Sequence, residues 1–181
     1  PLAEVMKTSD DYLQFFEDGN VAMMPQGEWV AGLIMEDVRN GRKTADWDIA
    51  PMPIFEGQDP YSTWGQYQFA GIASKSRHPE EAFEFLSWLC GEGGAQIIAG
   101  SGNISGYMND EIQEIYRDSL QGKNADVFFK SQRVLENPPR PEYNEILAAF
   151  TDIAEEYLLQ NITFEEARTK LEAKRQELYA R

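Results

Sequence analysis

A chain of 181 residues, 42% hydrophobic and 12% aromatic, has material for one good core or two smaller ones and does not read as disordered. Its formal net charge of -15 argues against nucleic acid and anionic membrane surfaces as partners, since both reward clustered Lys and Arg. One cysteine excludes an intrachain disulfide, and no apolar run approaches bilayer length. The chain opens at Pro1 without a secretory leader, as a processed protein or an excised piece would.

In chain order, residues 8–18 read as a helix capped by Thr8 or Ser9, with Tyr12, Phe15 and Phe16 on one face. Gly19 supplies its stop. Val21 to Met24 is short, apolar and bounded by breakers, as a buried strand is. Pro25 and Gly27 mark a turn into a helix over about 27–38, whose broad stripe is Trp29, Val30, Leu33, Ile34 and Val38. Residues 47–50 read as another strand, and the proline-rich stretch 51–62 as a loop or crossing segment. Partial alternation from Gln66 to Ala73 predicts a third strand.

Pro79, Glu80 and Glu81 open a helix with Ala82, Phe85, Leu86 and Leu89 along one side, and Cys90 at its end reads as a buried small hydrophobe. Further helices are expected over about 94–99, 109–119 and 124–135. Pro138, Pro139 and Pro141 form a stiff connector. The clearest helix is 142–159, and Thr163 with Glu166 has the spacing of a capping box opening the last one. Three short strands make a thin sheet for so many amphipathic helices, which suggests a mixed α+β domain or an incomplete one.

Enzymatic signatures are missing. His78 is the single histidine and precedes a helix start, so multi-histidine metal sites and histidine-assisted nucleophiles have no basis. No Walker loop, nucleophile elbow or calcium loop is present, and no cofactor is implied. Asp46 and Asp48 flank Trp47 but are commonplace as a surface pair.

Two groups do suggest binding. Gln26, Glu28 and Trp29 lie at a strand–turn–helix corner, and Trp64, Gly65 and Tyr67 lie in a glycine-flanked turn. An aromatic ring covers the apolar face of a sugar while carboxylates and amides take its hydroxyl rim. Trp29 equally reads as the start of a core stripe, and Tyr67 as sheet packing. Asn103 and Tyr107, after Gly102, and Arg140, in the proline connector, are further candidates for ligand contact. Trp47 and Trp88 lie within apolar elements and read as structural.

Several stretches together resemble a known family. They are Gly19-Asn20-Val21-Ala22-Met23 with Gly27-Glu28-Trp29, then Ile49-Ala50-Pro51-Met52-Pro53. Gly71-Ile72-Ala73, Ser76-Arg77-His78-Pro79-Glu80-Glu81-Ala82, Gly100 to Gly106, and Ile162-Thr163-Phe164-Glu165-Glu166-Ala167 follow in the same order. The pattern is similar to extracellular solute-binding proteins of ABC importers, in the sugar-binding branch related to maltose-binding protein.

The resemblance implies an α/β, type II periplasmic-binding-protein-like fold, incomplete here and represented by its helix-rich carboxy-terminal portion. It implies that residues 1–55 are part of the carboxy-terminal lobe and 56–65 an interlobe crossing. Residues 66–102 would be a segment of the amino-terminal lobe, and 103–181 the helical remainder of the carboxy-terminal lobe. It further implies a non-enzymatic protein at the extracellular face of the cytoplasmic membrane or in the periplasm, lipid-anchored or free, with no inserted segment here. Such a protein carries a solute, most often a carbohydrate, to the membrane subunits of an ABC permease. Trp29 matches an aromatic that sugar binders use at this helix start, whereas Trp64 stands where many members carry glycine. The competing expectation is a helix-rich interaction domain whose aromatics serve a protein partner.

Overall fold

The structure, a computed structural model, describes residues 12–135 and 142–180. Two units divide the chain: one comprises residues 13–134, and the other holds Tyr12, Leu135 and the described residues from 142 onward. In the first unit, α1 (Tyr12–Glu17) ends at Gly19, whose φ of 75° lets the Gly19 and Asn20 amides donate back to the Phe16 and Phe15 carbonyls. The expected cap and first turn of this helix, residues 8–11, lie outside the described residues.

The next helix, α2 (Trp29–Arg39), buries two faces. Val30 and Ile34 pack with Leu13 on one side, while Ala31 and Met35 join the larger core of Ala95, Ala99, Ile112, Tyr116, Leu120 and Ala125 on the other. Trp47 packs against both clusters, the structural role expected of it.

Then come β1 (Ser62–Gly65), α3 (Pro79–Leu89), α4 (Glu92–Gly100), α5 (Asp110–Ser119), α6 (Asp126–Lys130) and β2 (Gln132–Leu135). Asn109 caps α5, its side-chain oxygen accepting from the Ile112 amide at 2.9 Å. Pro79 takes the first position of α3 as the sequence predicts.

Strands are where expectation and structure part. β1 and β2 form a two-stranded sheet, and none of the segments 21–24, 47–50 and 66–73 is a strand. A strand needs a ladder partner, and these segments have none among the described residues. Segment 46–49 is instead pinned by side chains. Asp48 accepts from the Asn124 amide at 2.7 Å, Asn124 Nδ2 donates to the Ile49 carbonyl at 3.2 Å, and the Lys123 ammonium stands 5.2 Å from the Trp47 ring centre. The backbone amides of Asn124 and Ile49, both donating to it, hold the Asp48 carboxyl below its usual range. The helix expected over 124–135 is cut to α6 because Gln132 turns into the ladder, its amide donating to the Tyr61 carbonyl at 2.9 Å. Cys90 is exposed, contrary to expectation, because α3 buries none of its residues and ends with its apolar side uncovered.

Glu17 is the one buried carboxylate of this unit among the described residues, at 2% exposure. Its Oε2 lies 2.8 Å from Arg42 Nε, and Arg42 also reaches Asp18 at 3.3 Å. The Ala45 amide donates to the Glu17 carbonyl at 2.6 Å, so the pair ties the chain after α2 to the end of α1. Burial raises the Glu17 carboxyl above its ordinary value and the Asp37 charge adds to this, against the opposing pull of Arg42. A carboxyl raised by folding adds stability at acid pH and loses it as pH rises through its folded value. Glu17→Gln is therefore expected to match the wild type near pH 4 and to become the more stable of the two as pH rises toward 7. Thermal unfolding of both proteins at each pH measures this.

In the second unit, α7 (Tyr143–Leu158) and α8 (Phe164–Tyr179) pack along one another. Their connection carries the expected capping box. Thr163 Oγ1 accepts from the Glu166 amide at 3.3 Å, and Glu166 Oε2 accepts from the Thr163 amide at 2.8 Å. Ala167 and Leu178 are buried, and the Tyr157 and Phe164 rings meet edge-on at 5.9 Å. Thr163→Ala removes the acceptor at the helix start and is expected to cost about 1 kcal/mol in denaturant unfolding. Among the described residues no helix is long and apolar enough to cross a membrane.

Candidate functional site

The corner before α2 is built by local constraints. Gly19 stops α1, Met24 packs onto the Leu13–Val30–Ile34 cluster, and Pro25 to Gly27 turn the chain into the helix. Val30 and Ala31 donate to the Gly27 and Glu28 carbonyls at 3.2 and 3.0 Å. Glu28 occupies the cap position in helical conformation, and its side chain makes no capping bond. The helix therefore begins with its amide dipoles beside a carboxylate, an arrangement favourable to that charge.

Trp29 is 49% exposed, although Val30, Ala31, Ile34 and Met35 behind it are buried. The helix turns its 30/34 and 31/35 sides inward, leaving Trp29 and Leu33 on the outer side. The indole folds back over Gly27, where a Cβ would stand 1.8 Å from the ring. Gln26 is exposed and Glu28 half-buried, so an aromatic plate, an amide and a carboxylate share one corner.

Asn103 lies beside the same helix one turn on. Its Nδ2 donates to Ser101 Oγ at 3.0 Å and stands close over Gly32. Tyr107 is 39% exposed, with its amide donating to the buried Ser105 hydroxyl at 3.2 Å. Trp64 on β1 is half-exposed, and the side chain of Arg133 on β2 packs across Gly65. Tyr67 follows the strand, exposed, with its ring 6.4 Å from that of Phe69. The structure thus groups Gln26, Glu28 and Trp29 at one corner with Asn103 along the same helix. Trp64, Gly65 and Tyr67 form a second group, with the Tyr67 ring tilted toward that of Phe69. Arg140 lies outside the described residues.

Tyr116 and Arg133 escape sequence reading. Tyr116 sits with Ile112 and Leu120 at helical spacing, which signals a core face and conceals the polar atom on its ring. No group of three His, Cys, Asp or Glu residues able to hold a metal ion occurs among the described residues.

Comparison with known proteins identifies the family and the fold. The family model described as bacterial extracellular solute-binding protein matches residues 5–96, just over half of the chain. No curated protein matches it. Among solved structures, the chain is similar to a sugar transporter from Rhizobium etli captured in an open conformation. The match has a TM-score of 0.76 at 19% identity and covers 95% of this chain and 45% of that one. At that identity the likeness is one of fold. The chain spans less than half the length of that structure.

Proposed function

Because the chain belongs to the bacterial extracellular solute-binding proteins, we propose that it forms one wall of a cleft that captures a sugar or oligosaccharide for delivery to an ABC permease. The observation that carries this reading is Trp29, half-exposed at the start of a helix whose other apolar side chains are largely buried, with Glu28 and Gln26 beside it. A ring left in solvent next to a carboxylate and an amide matches the two sides of a sugar, an apolar C–H face and a hydroxyl rim. Trp64 is a second platform, and Asn103 and Tyr107 supply polar contacts. Delivery takes place outside the cytoplasmic membrane, in the periplasm or at its extracellular face. The family is one of binding proteins and not a class of enzymes, and the role requires no catalysis.

The uncovered surface supports a wall completed by further polypeptide. Phe83, Phe85 and Trp88 are exposed on α3, and Phe55 and Phe69 are almost fully so. Phe85 and Trp88 lie side by side, their ring centres 6.0 Å apart, so the apolar exposure on α3 is more than scattered single residues. In this reading the strand-like segments 21–24, 47–50 and 66–73 find their ladder partners in the remainder of the fold.

Calorimetric titration of the full-length protein with a panel of mono-, di- and trisaccharides tests the proposal. Saturable binding of at least one sugar is expected. Binding of amino acids or peptides with no sugar bound would overturn the carbohydrate assignment.

A further inference from the structure

Tyr116 is fully buried, yet its hydroxyl has no hydrogen-bond partner. Its ring is held edge-on by Phe128 and Phe129, with centroids 6.3 and 5.5 Å away, and it packs in the same core as Ala31 and Met35 of α2. A phenylalanine would fill this space equally well, so the packing gives no reason for the oxygen. Buried polar atoms are nearly always paired, and an unpaired one calls for a use.

Glu28 stands where that use arises. It precedes Ala31 and Met35 by three and seven residues, so it lies on the side of α2 that faces the Tyr116 core. Its own side chain makes no capping bond, which leaves it free to turn. Burial first, and then the negative charge of Glu28, push the Tyr116 phenol above its ordinary range, so the hydroxyl keeps its proton and remains a donor.

We propose that Tyr116 is a positioning residue of the Trp29 corner, its hydroxyl donating to the Glu28 carboxylate once a solute stacked on Trp29 has stripped water from that carboxylate. The inference rests on Trp29 and Glu28 being a solute site. While the site is open, water reaches the half-buried Glu28 carboxylate. When a ligand covers it, a sugar hydroxyl meets one carboxylate oxygen and the other needs a protein donor, since an oxygen left unpaired there would oppose binding. The Tyr116 hydroxyl is a donor already desolvated and held by two rings, whereas no capping bond holds the Glu28 side chain, so Glu28 is the partner that moves.

The test uses the full-length protein and the sugar panel, with wild type, Tyr116→Phe, Glu28→Gln, the double variant and Trp29→Ala. Without sugar, Tyr116→Phe is expected to melt about 2–4 °C higher, because an unpaired buried hydroxyl has been removed. With sugar it is expected to bind about tenfold more weakly than wild type. In the Glu28→Gln background the same change is expected to have a much smaller effect on affinity, a coupling that mere packing would not produce. Unchanged affinity in Tyr116→Phe, alongside weakened binding in Trp29→Ala, overturns this proposal and leaves the Trp29 site standing. A lower melting temperature in Tyr116→Phe also overturns it, since the hydroxyl would then have a structural partner. Full affinity in Trp29→Ala, or no sugar bound by the wild type, overturns the site and the proposal together.

Discussion

Trp29→Ala is expected to weaken sugar binding by the full-length protein by about 30- to 100-fold, a loss of about 2–3 kcal/mol. The indole is the large apolar plate of the corner, and it stands in solvent where the neighbouring helix residues are buried. Its stacking area and its ring geometry are lost together on truncation. Stability should change little, because the indole rests on Gly27 and the Val30–Ile34 cluster packs without it. Calorimetry and thermal melting of the same sample separate the two effects. A drop in melting temperature as large as that of a core truncation, with affinity retained, would make Trp29 a packing residue.

Gly102→Ala is expected to destabilise the protein by about 2–4 kcal/mol, as read by denaturant unfolding. Two costs add. Gly102 has a φ of 86°, in the left-handed region that a side chain disfavours. A Cβ there would also stand 2.8 Å from the backbone Cα of Gly32, with no flexible side-chain end to move aside. The pair of glycines lets the loop after α4 lie directly on α2, and Asn103 rides on that contact. The substitution should therefore weaken sugar binding as well, through displacement of Asn103 and the helix that carries Trp29.

Helices were the legible part of this chain because their signals are local. The capping box at Thr163–Glu166 and Pro79 at a helix start both appear where residue spacing puts them. The stop of α1 at Gly19 is equally local. Strands were not legible in the same way, since a strand exists only beside a partner and pairing is set by residues far away in sequence. Val21 to Met24 has the composition of a strand and remains irregular, while Gln132 to Leu135 looks helical and pairs with β1.

The candidate site was half legible. The corner at Gln26, Glu28 and Trp29 is visible in the sequence, but the α2 stripe is broad enough to place Trp29 in the core. Packing resolves it: 30/34 and 31/35 are the buried sides, and 29 and 33 are left outward. Cys90 errs the other way, apolar in its surroundings yet exposed, because what its helix packs against cannot be read from local periodicity. Tyr116 shows a further limit, since periodicity reports that a ring is buried and is silent about the hydroxyl it carries.

The claim at the centre is that Trp29, Glu28 and Gln26 meet a sugar. A crystal structure of the full-length protein with its tightest-binding saccharide tests it most directly. The account predicts the apolar face of one pyranose ring within about 4 Å of the Trp29 indole, with a hydroxyl on Glu28 or Gln26. Saccharide bound elsewhere, with the Trp29 ring packed against protein, would contradict it.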